Sequence, residues 1–137
     1  MYADEVLSFS KSLSEELKNL RRDFHQYPEL SFKEFETARK IAIYMKELGC
    51  EVEENVGKTG VVALLKGAYD GPTIAIRADI DALPVKEMTG LPYASKNEGV
   101  MHACGHDIHT TCALGAAKIL TSLKDELRGS VKFIFQP

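Results

Sequence analysis

Tryptophan is absent from the 137 residues and cysteine occurs only three times. So small and odd a number of thiols argues against a disulfide framework and for a reducing compartment, and a cytoplasmic setting is expected. Apolar runs are short. The longest, such as Val61 to Leu65, fall far below the roughly 20 residues that span a bilayer. The first residues include Asp4 and Glu5 and no apolar stretch of leader length, so neither a membrane span nor a cleaved leader is expected. Positive charge is not in excess either: 17 Lys and Arg against 20 Asp and Glu leave a formal net charge of -3, which offers no basic field to a nucleic-acid backbone. With 45% hydrophobic and 27% charged residues, the composition is that of an ordinary globular protein. Its length suits one domain burying roughly two thirds of its unfolded surface.

Against this background one stretch stands out. Gly99 to His109 holds three of the four histidines and one cysteine within eleven positions. Cys104 and His106 are two residues apart, and in extended backbone such side chains leave on one face with Cα atoms roughly 6.5 Å apart, so both can reach one metal or two adjacent ones. Gly105 between them has no Cβ to block a close approach. Asp107 is a candidate N-cap for a following helix, and a loop feeding a helix gives ligands a rigid support. Taken singly, each of these residues also has a structural reading, Cys as a small core residue and His as a cap or hydrogen-bond partner. Their density in one loop favours a metal or catalytic site. The spacing is not that of a zinc finger.

Read in order, the chain predicts an α/β architecture, a sheet flanked by helices. Ser12-Leu13-Ser14-Glu15 has the form of a capping box, with Leu13, Leu17, Leu20 and Phe24 at helical spacing up to about His25. A second box, Ser31-Phe32-Lys33-Glu34, opens a helix with Phe35, Ala38, Ile41 or Ala42, Met45 and Leu48 as its buried stripe and Gly49 as its C′ residue. Arg21, Arg22, Arg39 and Lys40 read as a solvated helix face. Cys50 to Val56, Gly60 to Lys66 and Thr73 to Ala78 read as strands, the last two as a hairpin across Gly67 to Pro72. Ile74, Ala75 and Ile76 in succession suggest a strand covered on both faces. Asp79 and Asp81 follow where it runs out, at the strand end where open α/β sheets bind ligands, and could orient a histidine, bind metal or cap a turn. Val85 to Asn97 reads as an irregular surface connection. A third helix is expected from Asp107 to Leu123, with Cys112 in its packed face, and a last strand from Val131 to Phe135.

Several words of the sequence, in this order, resemble one family. They are Arg21-Arg22-Asp23-Phe24-His25 with Pro28-Glu29-Leu30, Thr59-Gly60-Val61-Val62-Ala63, Arg77-Ala78-Asp79-Ile80-Asp81-Ala82-Leu83-Pro84, Met101-His102-Ala103-Cys104-Gly105-His106-Asp107, and Phe133-Ile134-Phe135-Gln136-Pro137. The chain resembles the metal-dependent amidohydrolases and peptidases of the aminoacylase and carboxypeptidase superfamily, in the branch of hippurate hydrolase and indole-acetyl amino acid hydrolases. The resemblance implies that residues 1–137 form the N-terminal part of a zinc-exopeptidase-like catalytic domain. It implies Cys104 and His106 as metal ligands and Asp79 as the catalytic carboxylate that orients the site. His102, Asp107 and His109 take supporting roles, and Arg77, where other branches place a ligating histidine, is not a ligand. The implied cofactors are two divalent ions (zinc, manganese, cobalt or nickel). The implied substrate is a small N-acyl amino acid or peptide, with no nucleic-acid or membrane partner, and with homo-oligomer formation an open question for the full-length protein. The family's general base, later ligands and lid or dimerisation domain lie beyond the words matched here, so the chain alone is expected to be an inactive fragment. The competing class is a non-catalytic metal-binding or interaction module, in which Cys104 and His106 hold a structural ion.

Overall fold

A computed structural model describes residues 2–137. Its elements in chain order are α1 (Tyr2–Ser12), α2 (Ser14–Gln26), α3 (Phe35–Glu47), β1 (Glu51–Val56), β2 (Gly60–Lys66), β3 (Tyr69–Asp79), α4 (His106–Ser122) and β4 (Arg128–Gln136). The strands form one mixed sheet in the order β1-β2-β4-β3, with β1/β2 and β2/β4 antiparallel and β3/β4 parallel. Parallel neighbours need a crossover, and α4 supplies it. The expected hairpin between residues 60–66 and 73–78 is therefore not formed. β4, from the far end of the chain, inserts between those two strands, and the true hairpin is β1–β2.

Alternation along the strands defines the core. Val61, Ala63 and Leu65 of β2, Val131, Phe133 and Phe135 of β4 and Ala78 of β3 join Phe24, Ile41, Ala42, Met45, Ala113, Leu114 and Ala117 of the helices in one hydrophobic cluster. Truncating a fully buried phenylalanine such as Phe133 to alanine would cost about 3–5 kcal/mol. The expectation of a doubly covered strand fails for β3. It lies at the sheet edge, and Ile74 is 64% exposed. Its run of apolar residues has the composition of an interior strand without an interior position.

The helix boundaries show how local signals are overruled. Neither expected capping box forms. Ser12 Oγ donates back to the Phe9 carbonyl, α2 starts after Leu13 with no side-chain cap, and a further helix, α1, precedes it. At α3 the N-terminal amides are satisfied from outside the helix, because Glu29 accepts from the backbone N–H of Glu36 (3.1 Å) and of Thr37 (2.6 Å) and from the Thr37 hydroxyl (2.6 Å). Glu34, from the expected box, is instead buried and accepts from the Thr59 hydroxyl, and Phe35 stands exposed rather than in the packed stripe. The C-terminal expectation holds. Gly49 has φ +82°, its N–H reaches the Lys46 carbonyl at 2.9 Å, and that of Cys50 reaches Met45 at 3.1 Å, the paired bonds of a Schellman ending. Among the described residues no helix is long and apolar enough to cross a membrane.

Candidate active site

The site lies where β3 ends and α4 begins. Residues 80–105 connect the two without regular secondary structure, yet they are pinned: the Ala82 amide bonds to the Glu29 carbonyl at 2.8 Å, and Leu83 and Met101 exchange both backbone bonds at 2.9 and 3.0 Å. These ties bring Asp79 and Asp81, at the carboxyl end of β3, beside the first turn of α4.

His106 opens that turn. Its Nδ1 bonds to Asp81 twice, at 2.8 Å to Oδ1 and 3.0 Å to the carbonyl oxygen. A ring nitrogen bonded to a carboxylate or carbonyl fixes the tautomer and leaves Nε2 as the available donor atom. Nε2 lies 4.0 Å from Asp79 Oδ2, too far for a hydrogen bond. The other oxygen of Asp79 accepts from Arg77 Nη2 at 2.8 Å, and Arg77 Nε donates to Gln136 Oε1 at 2.6 Å. Arg77 thus holds the Asp79 carboxylate from the sheet side. The side chain that bonds to the His106 ring is Asp81, while Asp79 faces the ring's free nitrogen.

Cys104 is exposed and immediately precedes Gly105, which caps α4 in the left-handed region at φ +85°. Asp107 is therefore not the N-cap but a first-turn residue. Its Oδ1 accepts from the Ile108 amide at 3.0 Å. His109 is exposed, its ring 5.6 Å from that of His106. Cys112, expected in the packed face, is exposed instead, because the buried side of α4 runs through Thr110, Thr111, Ala113, Leu114 and Ala117. Burial pushes the pKa of the remaining thiol, Cys50, up.

Behind the loop that leads into α4 is a buried polar network that the sequence did not announce. His25 of α2 places Nδ1 2.8 Å from Asp107 Oδ2 and Nε2 3.1 Å from Glu87 Oε1. Arg21 Nε lies 2.9 Å from the same Asp107 oxygen, a charge contact rather than an aligned hydrogen bond. Tyr93 closes the group, its ring against His25 and beneath the guanidinium groups of Arg21 and Arg22. Arg21 accordingly leaves the expected solvated face, and Lys40 leaves it for Asp23 and the Tyr27 ring. Burial pushes the Glu87 carboxyl up, but hydrogen bonds from Thr89, the Ser95 amide and His25 outweigh it and hold its pKa low. His102 is 5% exposed with neither ring nitrogen bonded. Burial, against the pull of Asp107 and Asp81, brings its pKa down to about 4, so at neutral pH it is an uncharged imidazole. The signals available for this network were the Arg-Arg-Asp-Phe-His word and the presence of Glu87 and Tyr93 in a segment read as mere surface.

The donor set suits part of a divalent-metal centre: an exposed thiol, an imidazole nitrogen whose partner is clamped by a carboxylate, and a carboxylate oxygen nearby. Among the described residues no three His, Cys, Asp or Glu side chains converge to hold an ion by themselves.

Residues 75–137 match the model for peptidase family M20/M25/M40. An N-acetylcysteine deacetylase of Bacillus subtilis is 54% identical over 128 residues, covering 93% of this chain and 34% of the relative. The hippurate hydrolase of Campylobacter jejuni is 50% identical over 125 residues, covering 91% and 32%. The crystal structure of the Bacillus subtilis YXEP protein, described as a dinuclear metal-binding peptidase from the M20 family, superposes with a TM-score of 0.87 at 54% identity, covering 93% of this chain and 36% of that one. The chain spans about a third of the length of the curated relatives it matches. Over residues 75–137 the chain is thus similar in sequence to peptidase family M20/M25/M40, and over nearly its whole length it shares the fold of about a third of an M20 peptidase.

Proposed function

We propose that this chain contributes the first metal ligands of an amidohydrolase that cleaves the amide bond of N-acyl amino acids or small peptides. The observation that carries the reading is the Asp81 clamp on His106 Nδ1, which leaves Nε2 free on the side of Asp79, at the carboxyl end of a parallel strand. The names of the relatives, a deacetylase and a hippurate hydrolase, support the substrate class. The description of the YXEP protein as dinuclear supports two ions, which would be zinc, manganese, cobalt or nickel.

In this reading Cys104 binds as thiolate and His106 through Nε2. Asp81 holds the imidazole in the tautomer that ligation requires. Asp79, steadied by Arg77, is the carboxylate that orients the site. The bound ions would supply Lewis-acid polarisation of the scissile carbonyl and a nucleophile at neutral pH. The general base and remaining ligands would come from a longer polypeptide carrying the rest of the catalytic domain and a lid or dimerisation domain, and the 137 residues alone would not turn over substrate. The cytoplasmic setting expected from the thiols belongs to the same proposal, as does a small-molecule rather than nucleic-acid partner.

The test is hydrolysis of N-acetylcysteine and hippurate by the longer protein, with elemental analysis of the purified enzyme. Cys104→Ala is expected to remove both bound metal and activity. Full metal content in that variant would overturn the ligand assignment.

A further inference from the structure

We propose that the buried network of Arg21, Asp107, His25 and Glu87 positions the metal ligands, acting on His106 through the first turn of α4; the inference rests on Cys104 and His106 being ligands. The start of α4 needs such support. Gly105 has no side chain to cap the helix, and it is flanked by exposed Cys104 and half-buried His106, the first residue of α4. Asp81 fixes the His106 ring relative to β3, but a ring tethered at one atom still moves with its own backbone.

That backbone is fixed through the next residue. The Asp107 side chain is fully buried, its Oδ1 accepts from the Ile108 amide, and its carbonyl accepts from the Thr111 hydroxyl at 2.7 Å. Its Oδ2 is held by His25 and Arg21 on α2. A buried carboxylate is strongly unfavourable without partners, so the turn cannot rotate without giving up these contacts. The hold extends to a third segment. The Glu87 side chain is almost wholly buried, bonds to His25, and accepts from the Thr89 hydroxyl and the Ser95 amide, both at 2.6 Å. Contacts spanning 82 and 62 sequence positions thus converge beside one ligand. Cys104 lies on the other side of Gly105 and depends on the same anchored turn for its spacing from His106.

The experiment is a cobalt(II) titration of the longer protein that carries the rest of the catalytic domain, following the thiolate-to-cobalt absorption band, for the unmodified protein and for Glu87→Ala and His25→Ala. Far-UV circular dichroism and thermal unfolding in chelator are recorded alongside. Loosening a ligand's support typically weakens metal affinity by about 10–100-fold, and that loss is expected here with helix content unchanged. Variants that lower thermal stability yet bind cobalt as tightly as the unmodified longer protein would overturn the proposal, since the network would then serve the fold alone. If either alanine variant fails to fold, Glu87→Gln, which keeps the shape and removes the charge facing His25, decides the matter: weaker binding supports the proposal and equal binding overturns it. Failure of the unmodified longer protein to give any cobalt–thiolate band would instead overturn the assignment of Cys104, a result distinct from failure of the network's role.

Discussion

His102 shows what a single side chain can contribute when burial outweighs its chemistry. An imidazole with neither nitrogen bonded gains nothing from its polarity, and burial keeps it uncharged, with its pKa brought down to about 4 from an ordinary 6.5. The unfolded chain therefore takes up a proton first as pH falls, and acid favours unfolding. Stability linked to His102 is fully present above about pH 6.5 and drains away down to about pH 4, by up to about 3 kcal/mol. Denaturant unfolding of the chelator-treated chain at stepped pH should show this decline, and His102→Leu should flatten it. An unaltered pH slope in that variant would assign the decline to other groups.

For the elements, the instructive case is α3, whose start is set by a residue five positions before the expected box closes. Glu29 satisfies two amides and a hydroxyl, so it does the work that Ser31 was expected to do. Glu29→Ala should destabilise the fold by about 1–2 kcal/mol, and Glu29→Gln, which keeps an acceptor oxygen, by less. A denaturation midpoint unmoved by the alanine substitution would show that water replaces the cap at no cost. Periodicity placed α2, α3 and α4 correctly because their buried stripes repeat along the chain. The caps were misread because the groups that satisfy helix ends need not be local. The ending at Gly49 was legible because a left-handed residue is a property of the backbone at that position.

The molecule as a whole presents an open edge. β3 pairs on one side only, with β4, and it carries Ile74 and Tyr69 exposed. Unpaired strand edges of apolar composition are templates for another strand. The 137-residue chain should accordingly self-associate as its concentration rises, and Ile74→Lys should shift it toward monomer in sedimentation velocity. A monomer at every concentration, with or without the lysine, would mean that twist or flanking charge already protects the edge. Ile74 to Ile76 read as interior from their composition alone, whereas coverage depends on neighbours that these residues do not contain.

The amino-acid order sufficed for the α/β character, the helices with repeating stripes, and Cys104 and His106 as a candidate ligand pair, since all three rest on residues close together in the chain. It left Asp79 and Asp81 with several roles each. Folding decided that Asp81 clamps the imidazole and Asp79 faces its free nitrogen, that β4 divides the expected hairpin, that Cys112 lies outside the core, and that His25, Arg21 and Glu87 meet Asp107. Each of these is a pairing across tens of residues, governed by which backbone groups and buried charges must find partners once the chain has collapsed.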